Sequence, residues 1–376
     1  MSFFEQPQKK CARIGGAYDG EGDEAVHAND PLDLAPREIW TLVAQYITEP
    51  KTWLDFRATC KLFLEVAGEP REEFEIEWLH VVSDWNRDSP SEGGLQRGYV
   101  SALAALGQAG LGDGLVAVGY GPSPYLRVLD TRNKRAVKTL PGHTGLVNCL
   151  CVFQGLLASG ADDHSVKLWD VAQGRCEQTL VGHSYGVYAL TAWGPFLVSA
   201  GNDREIRVWA ADGSCVLTIT LLHSSAWSLA GWGDFLVSGD SEGQVAMWNR
   251  GGEMVRSWQA HSSRASRVTS LLVLNDSATL ATASTCSQFV KLWDIEGRLL
   301  RELDCGHGVW GLHLAFGGAL VVEAGYQPVR LQIWDLQSGQ KLKTLDAPSW
   351  SKCRVSGKSL VAVGYDKVTV WRGIWP

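Results

Sequence analysis

One short pattern governs what this chain can fold into. A large apolar residue, a Trp and a polar or small residue recur at Leu168-Trp169-Asp170, Val208-Trp209-Ala210, Met247-Trp248-Asn249, Leu292-Trp293-Asp294, Ile333-Trp334-Asp335 and Val370-Trp371-Arg372. Val128-Leu129-Asp130 precedes them with Leu in place of Trp, and from Leu129 onward the steps are 40, 40, 39, 45, 41 and 37 residues. Self-similarity at such a period means one supersecondary unit repeated, and it has to be read before any single motif.

Each unit contains two alternating apolar runs around a polar turn, for example Leu156 to Gly160, then Asp162-Asp163, then Val166 to Trp169. Alternation at period two marks strands, and the turn between them makes a hairpin. A sheet this small cannot bury both of its faces alone. Seven of them stacked radially cover one another and leave short edges, which predicts an all-β, seven-bladed β-propeller over residues 99–376. The composition agrees, with 41 Gly and 17 Trp against only 3 Met in 376 residues, as short strands and tight turns require.

Gly-His or a relic of it stands ahead of five of the Trp residues, at Gly142-His143, Gly182-His183, Leu222-His223, Ala260-His261 and Gly306-His307. With the Trp-Asp ends and the period, this resembles the WD-repeat family over residues 99–376. The resemblance implies a buried structural tetrad of His, Ser or Thr, Asp and Trp. It carries over completely in two units, as His143, Ser159, Asp163 and Trp169, and as His183, Ser199, Asp203 and Trp209. Elsewhere Glu242, Ser287, Pro328 and Tyr365 stand where the Asp would be. On paper these sets look like catalytic triads, but a network that satisfies a turn is the better reading. The last repeat leaves no residues for its outer strand, so a segment between Trp78 and Arg97 is expected to close the ring.

The segment in front is different. Residues 1–30 are poor in apolar side chains and are expected to be a disordered tail. Apolar positions 39, 42, 43, 46 and 47, then 53, 56, 60, 63 and 64, follow helical spacing and predict two short helices within 31–68. The string Leu34, Pro36, Glu38, Ile39, then Tyr46-Ile47, then Leu54, Phe56, Arg57, Cys60, Lys61 and Phe63 resembles an F-box, so the fold class becomes a propeller preceded by a short all-α F-box-like segment. Residues 69–98 form the connector that supplies the closing strand. The resemblance implies that Leu34, Pro36, Ile39, Tyr46, Leu54, Phe56 and Cys60 dock on a Skp-type linker protein and thereby a cullin. A helical cap packed on the propeller is the alternative.

The WD resemblance also places ligands on the top face, where the inner strands begin and beside the turn between second and third strands. Carried over unit by unit, this implies Tyr99, Tyr120, Leu146, Asn148, Asp162, Tyr188, Asn202, Trp227, Ser241, Arg267, Thr269, Trp310, Gln327, Ser349 and Ser351. Gly119-Tyr120, Gly325-Tyr326 and Gly364-Tyr365 recur in units that closure makes neighbours, so with Tyr99, Trp310 and Trp350 they are expected to form one exposed aromatic sector. Converging Arg for a phosphopeptide is sparse, with Arg204, Arg264 and Arg267 the candidates, which favours an unmodified, partly apolar peptide.

Other function classes find little support. A net charge of -7 offers no basic stripe for nucleic acid. No apolar run reaches the roughly 20 residues of a membrane span. Nine Cys contain no C-x-x-C pair, which fits reduced thiols in the cytoplasm or nucleus, and Cys149 and Cys151 read as core filling rather than metal ligands. There is no metal-ligand cluster, no phosphate loop and no G-x-S-x-G elbow, so the chain reads as a non-enzyme without cofactor whose substrate is a protein.

Overall fold

In the computed structural model, the residues described lie within 99–372, apart from 108–113, 122, 134, 263–265, 275–277, 316–317, 326–328, 349–350, 357 and 365–367. The tail, the F-box-like segment and the expected closing strand fall outside them.

The sequence unit appears seven times as an antiparallel sheet. Blade 1 runs Tyr99–Ala105, Leu115–Gly121, Leu126–Asp130 and Arg135–Leu140, each strand pairing with the next. Blades 2 to 6 repeat this order. Blade 7 shows three strands among the described residues, Lys352–Ser356, Ser359–Val363 and Val368–Arg372. The third strand ends at each repeated Trp, so a sequence repeat and a blade are out of phase by one strand.

Each blade's first strand packs on the first strand of the next, and that of blade 7 packs on that of blade 1, which closes the ring. Burial follows the same geometry. Second strands such as Phe196–Gly201 are buried along nearly their whole length, whereas outer strands such as Arg175–Val181 alternate with solvent. The core is divided into clusters between blades. At the seam, Val100, Leu103, Val116, Val118, Tyr120 and Leu129 of blade 1 interlock with Val361, Val363, Val368 and Val370 of blade 7.

The tetrads lock the turns as expected. In blade 2 the Nδ1–H of His143 donates to Asp163 at 2.7 Å, Ser159 donates to His143 Nε2 at 2.7 Å, and Trp169 Nε1–H donates to Ser159 at 2.7 Å. Asp163 also accepts the Thr144 amide at 2.9 Å, tying the preceding loop to the turn. Blade 3 repeats the set through His183, Ser199, Asp203 and Trp209, each contact at 2.8 Å. Burial, only partly offset by the Asp, lowers the pKa of both histidines and keeps them neutral. Ser159 and Ser199 are 0% exposed, so neither hydroxyl is offered to a substrate.

The other blades use relics. Blade 4 keeps Ser238 under Trp248 at 2.9 Å, and Asp240 rather than Glu242 caps the turn by accepting the Gln244 amide at 2.8 Å. Blade 5 keeps His261, Thr282 and Trp293 at 3.0 Å each, and among the described residues no acid meets His261 Nδ1. In blade 6 His307 is exposed, and Gln332 receives the Trp334 indole at 3.2 Å while donating to the Cys305 carbonyl at 2.8 Å.

Candidate functional site

The first strands begin at one end of the ring, the top face, and six of them carry the same irregularity there. The register skips one residue between Val100 and Ala102, Val147 and Cys149, Val187 and Ala189, Ala226 and Ser228, Val268 and Ser270, and Val309 and Gly311. The skipped residues are Ser101, Asn148, Tyr188, Trp227, Thr269 and Trp310. A bulge of this kind takes one residue out of the ladder and re-aims its side chain. The flanking Val or Ala stays fully buried and anchors the strand.

The side chains turned out by the bulges reach the next blade. Asn148 donates to the Val187 carbonyl at 3.3 Å and to Asp162 at 2.7 Å, and Thr269 donates to the Val309 carbonyl at 2.7 Å. The ring of Trp310 lies 5.9 Å from the ammonium of Lys352. Between these, three successive blades build a stack. Tyr188 and Trp227 lie 4.4 Å apart at 23°, and the Arg267 guanidinium sits 3.4 Å from the centre of the Trp227 ring. Blades 3 and 5 flank blade 4, so the phenol and the guanidinium approach the indole from either side. Burial, with the charge of Asp162 adding to it, raises the Tyr188 pKa and keeps the phenol protonated.

The remaining residues expected on this face are distributed unevenly. Leu146 is half-buried and its carbonyl accepts the Asp162 amide at 2.9 Å. Tyr99 is 43% exposed, with its ring over Gly121, where any Cβ would stand 2.7 Å from it. Tyr120 is a correction: it is 8% exposed and belongs to the seam between blades 1 and 7 rather than to an open sector. It ends a second strand with both faces covered, and Gly-Tyr in sequence does not tell an inward ring from an outward one. Tyr326, Trp350, Tyr365 and Arg264 lie outside the described residues. The stack draws together Tyr188, Trp227 and Arg267, which sequence reasoning placed on the face singly. The 39-residue spacing of Tyr188 and Trp227 is the repeat period, whereas Arg267 lies two residues before the equivalent bulge at Thr269 and no periodicity marks it.

A second polar cluster bridges blades 6 and 7. The Glu323 carboxylate is 2% exposed and accepts the Cys353 amide at 2.6 Å and the His313 Nε2–H at 2.9 Å. Burial pushes its pKa up, but His313 and the nearby Lys352 and Arg354 outweigh this and hold it well below the usual carboxylate range. Gly311 makes the room, since a Cβ there would stand 2.7 Å from the carboxylate. His313, Glu323 and Cys353 could in number hold a metal. Arg354 within 3.4 Å of His313, and a thiol that burial pushes far up, do not suit a cation. Cys149 packs between blades 2 and 3, whereas the half-buried Cys151 lines a cavity with Leu150, Gln154 and Arg354; burial raises both thiols, Cys151 to about 11.

A closed ring of seven antiparallel blades, with buried His-Ser-Asp-Trp locks in two of them and bulged side chains fanned over one face, defines a repeat propeller. The family model for the WD domain, G-beta repeat, matches residues 134–170, 174–210 and 252–294. Each match runs from the outer strand of one blade through the third strand of the next. Among solved structures, the WD40 β-propeller domain of Doa1 is 20% identical with a TM-score of 0.62, covering 74% of this chain and 93% of that one. The computationally designed Ika8 protein is 24% identical with a TM-score of 0.57, covering 73% and 83%. No curated protein matches the chain. Three segments of the chain thus match the WD repeat, and the chain folds as a seven-bladed β-propeller.

Proposed function

We propose that this protein is a receptor that holds a partner protein on the top face of its propeller, against the stack of Tyr188, Trp227 and Arg267. The observation that carries the reading is this stack: two partly open aromatic rings and a guanidinium from three blades, fixed by each other rather than by the fold's own hydrogen bonds. Rigid aromatic anchors with an Arg are the residue types that dominate binding energy at interfaces. The string of residues 31–68 extends the reading to a substrate receptor of an SCF-type ubiquitin ligase, with Leu34, Ile39 and Phe56 docking on a Skp-type linker and the propeller presenting the held protein.

The test has two arms. Tagged full-length protein is mixed with purified Skp-type linker and cullin, as wild type and as Leu34→Ala with Ile39→Ala. Binding lost in the variant supports the ligase role. No binding by the wild type leaves a WD-repeat scaffold and ends the ligase reading. Trp227→Ala is expected to leave linker binding unchanged, because the two surfaces belong to different parts of the chain.

A further inference from the structure

The three residues of the stack share a feature beyond their planarity: each offers hydrogen-bond donors. Arg267 presents five N–H groups in a fork, Trp227 its Nε1–H and Tyr188 its hydroxyl. Among the described residues none of these donors meets an acceptor, although the rings and the guanidinium are in close contact with one another. By contrast Asn148 and Thr269, at equivalent bulges on either side, are satisfied by carbonyls of the adjoining blade. The two bulges that break this habit, at Tyr188 and Trp227, lie in adjacent blades, and Arg267 stands two residues before the satisfied bulge at Thr269.

A partner that covers the stack removes water from those donors. Burying a guanidinium without an acceptor costs far more than the contact returns, so the partner has to bring acceptors. A carboxylate is acceptor-only and planar, and its two oxygens match the Arg fork in a bidentate pair. Stacking on Trp227 fixes the plane of the guanidinium in advance and so reduces the entropy lost on pairing. The turn that carries Asp240 and Glu242 approaches, at Gly243, the backbone carbonyl of Ser266, the residue before Arg267. A doubly charged phosphate would face those acids with Arg267 as the one cation of the stack among the described residues, whereas a carboxylate carries half that charge.

We propose that the partner offers this face a carboxylate flanked by apolar residues, taken by the fork of Arg267 with Trp227 and Tyr188 as the apolar wall. The inference rests on the top-face reading above and names the ligand chemistry of that site. The carboxylate comes either from an Asp or Glu side chain or from a chain terminus.

The probe is a phage-displayed library of random decapeptides panned on the full-length protein, with Trp227→Ala protein as the counter-selection. Enriched peptides are synthesised, with free and amidated C-termini, and their affinities measured by fluorescence anisotropy. Peptides carrying an Asp or Glu beside apolar residues are expected. Replacing that acid by Asn or Gln should weaken binding about 10- to 100-fold, the range for a charged hydrogen-bonded pair. Arg267→Met, which keeps the apolar stem, should cost the same, and the two changes together no more than either one. Loss on amidation instead assigns the terminal carboxylate. Peptides that need Tyr188 and Trp227 but carry no acid, or ignore Arg267→Met, overturn the carboxylate and leave the top-face reading standing. So does a phosphoserine in place of the acid that binds tenfold more tightly. Peptides that bind Trp227→Ala and Tyr188→Ala protein as they bind wild type, or no enrichment over the counter-selection, overturn the top-face reading itself. Trp227→Phe, which keeps the stack and removes Nε1–H, serves if the Ala variant melts below the assay temperature.

Discussion

A single carboxylate shows how much one residue can hold in this fold. Asp163 accepts the imidazole of His143, the Thr144 amide and the Ser165 hydroxyl, and those bonds take its pKa down to about 2 against the opposing push of burial. Asp163→Ala leaves a buried imidazole N–H and an amide without acceptors, so a loss of about 1 to 3 kcal/mol is expected in denaturant unfolding. An unchanged unfolding midpoint would contradict the structural role. His261 is the counterpart without an acid: burial, aided by Lys291, lowers its pKa to about 4. The unfolded imidazole titrates at about 6.5, so the folded state binds fewer protons below that pH. The stability this His confers is therefore complete above about pH 6.5 and lost as the pH falls towards its folded value. His261→Gln, whose amide can still pair with the Thr282 hydroxyl, should flatten the fall in melting temperature between about pH 6.5 and 4.5; parallel curves for the two proteins would contradict this. The tetrads were legible in sequence because their members sit at fixed offsets. Gln332 was not, since it replaces the Ser hydroxyl from the third strand rather than the second.

Strands meet across blades through positions that the repeat usually keeps small. Gly160 and Gly239 face the next blade's first strand, at 2.6 Å from Val187 and Val268 side chains for an added Cβ, and blade 6 places Glu323 at the equivalent position. That exchange is possible because Gly311 opposite has given up its side chain. Gly311→Ala is therefore expected to cost about 1 to 3 kcal/mol, as overpacking does, and less in a Glu323→Ala background. Additive losses in thermal or denaturant melts would mean that the two do not share the space. The strands themselves were readable from alternation and turn residues. Which ring of a Gly-Tyr pair turns inward was not, because that depends on the closing blade and not on the local pattern, as Tyr120 shows.

At the scale of the molecule, the ring is held shut by side chains at the seam as well as by strand pairing within blades. Val363 is fully buried there, and Val363→Asp should cost about 3 to 5 kcal/mol by placing an unpaired charge between blades 7 and 1. The same change at Val255, 49% exposed on an outer strand, should stay within about 0.5 kcal/mol, and equal losses at both sites would argue against a closed ring. Seven-fold architecture was plain from spacing alone, since a repeat of this period has few ways to bury its faces. The stack proposed as the contact surface was not, because six bulges look alike until their side chains are seen against their neighbours. Those bulges carry Ser, Asn, Tyr, Trp, Thr and Trp in one chain on one backbone geometry. The six positions thus share one socket geometry that accepts very different side chains, two of which, Asn148 and Thr269, also tie their socket to the adjoining blade. The proposed recognition sector can then be turned around the axis like a dial: moving Tyr188 and Trp227 one socket onward, with an Arg two residues before the socket that follows, should shift it by a seventh of a turn.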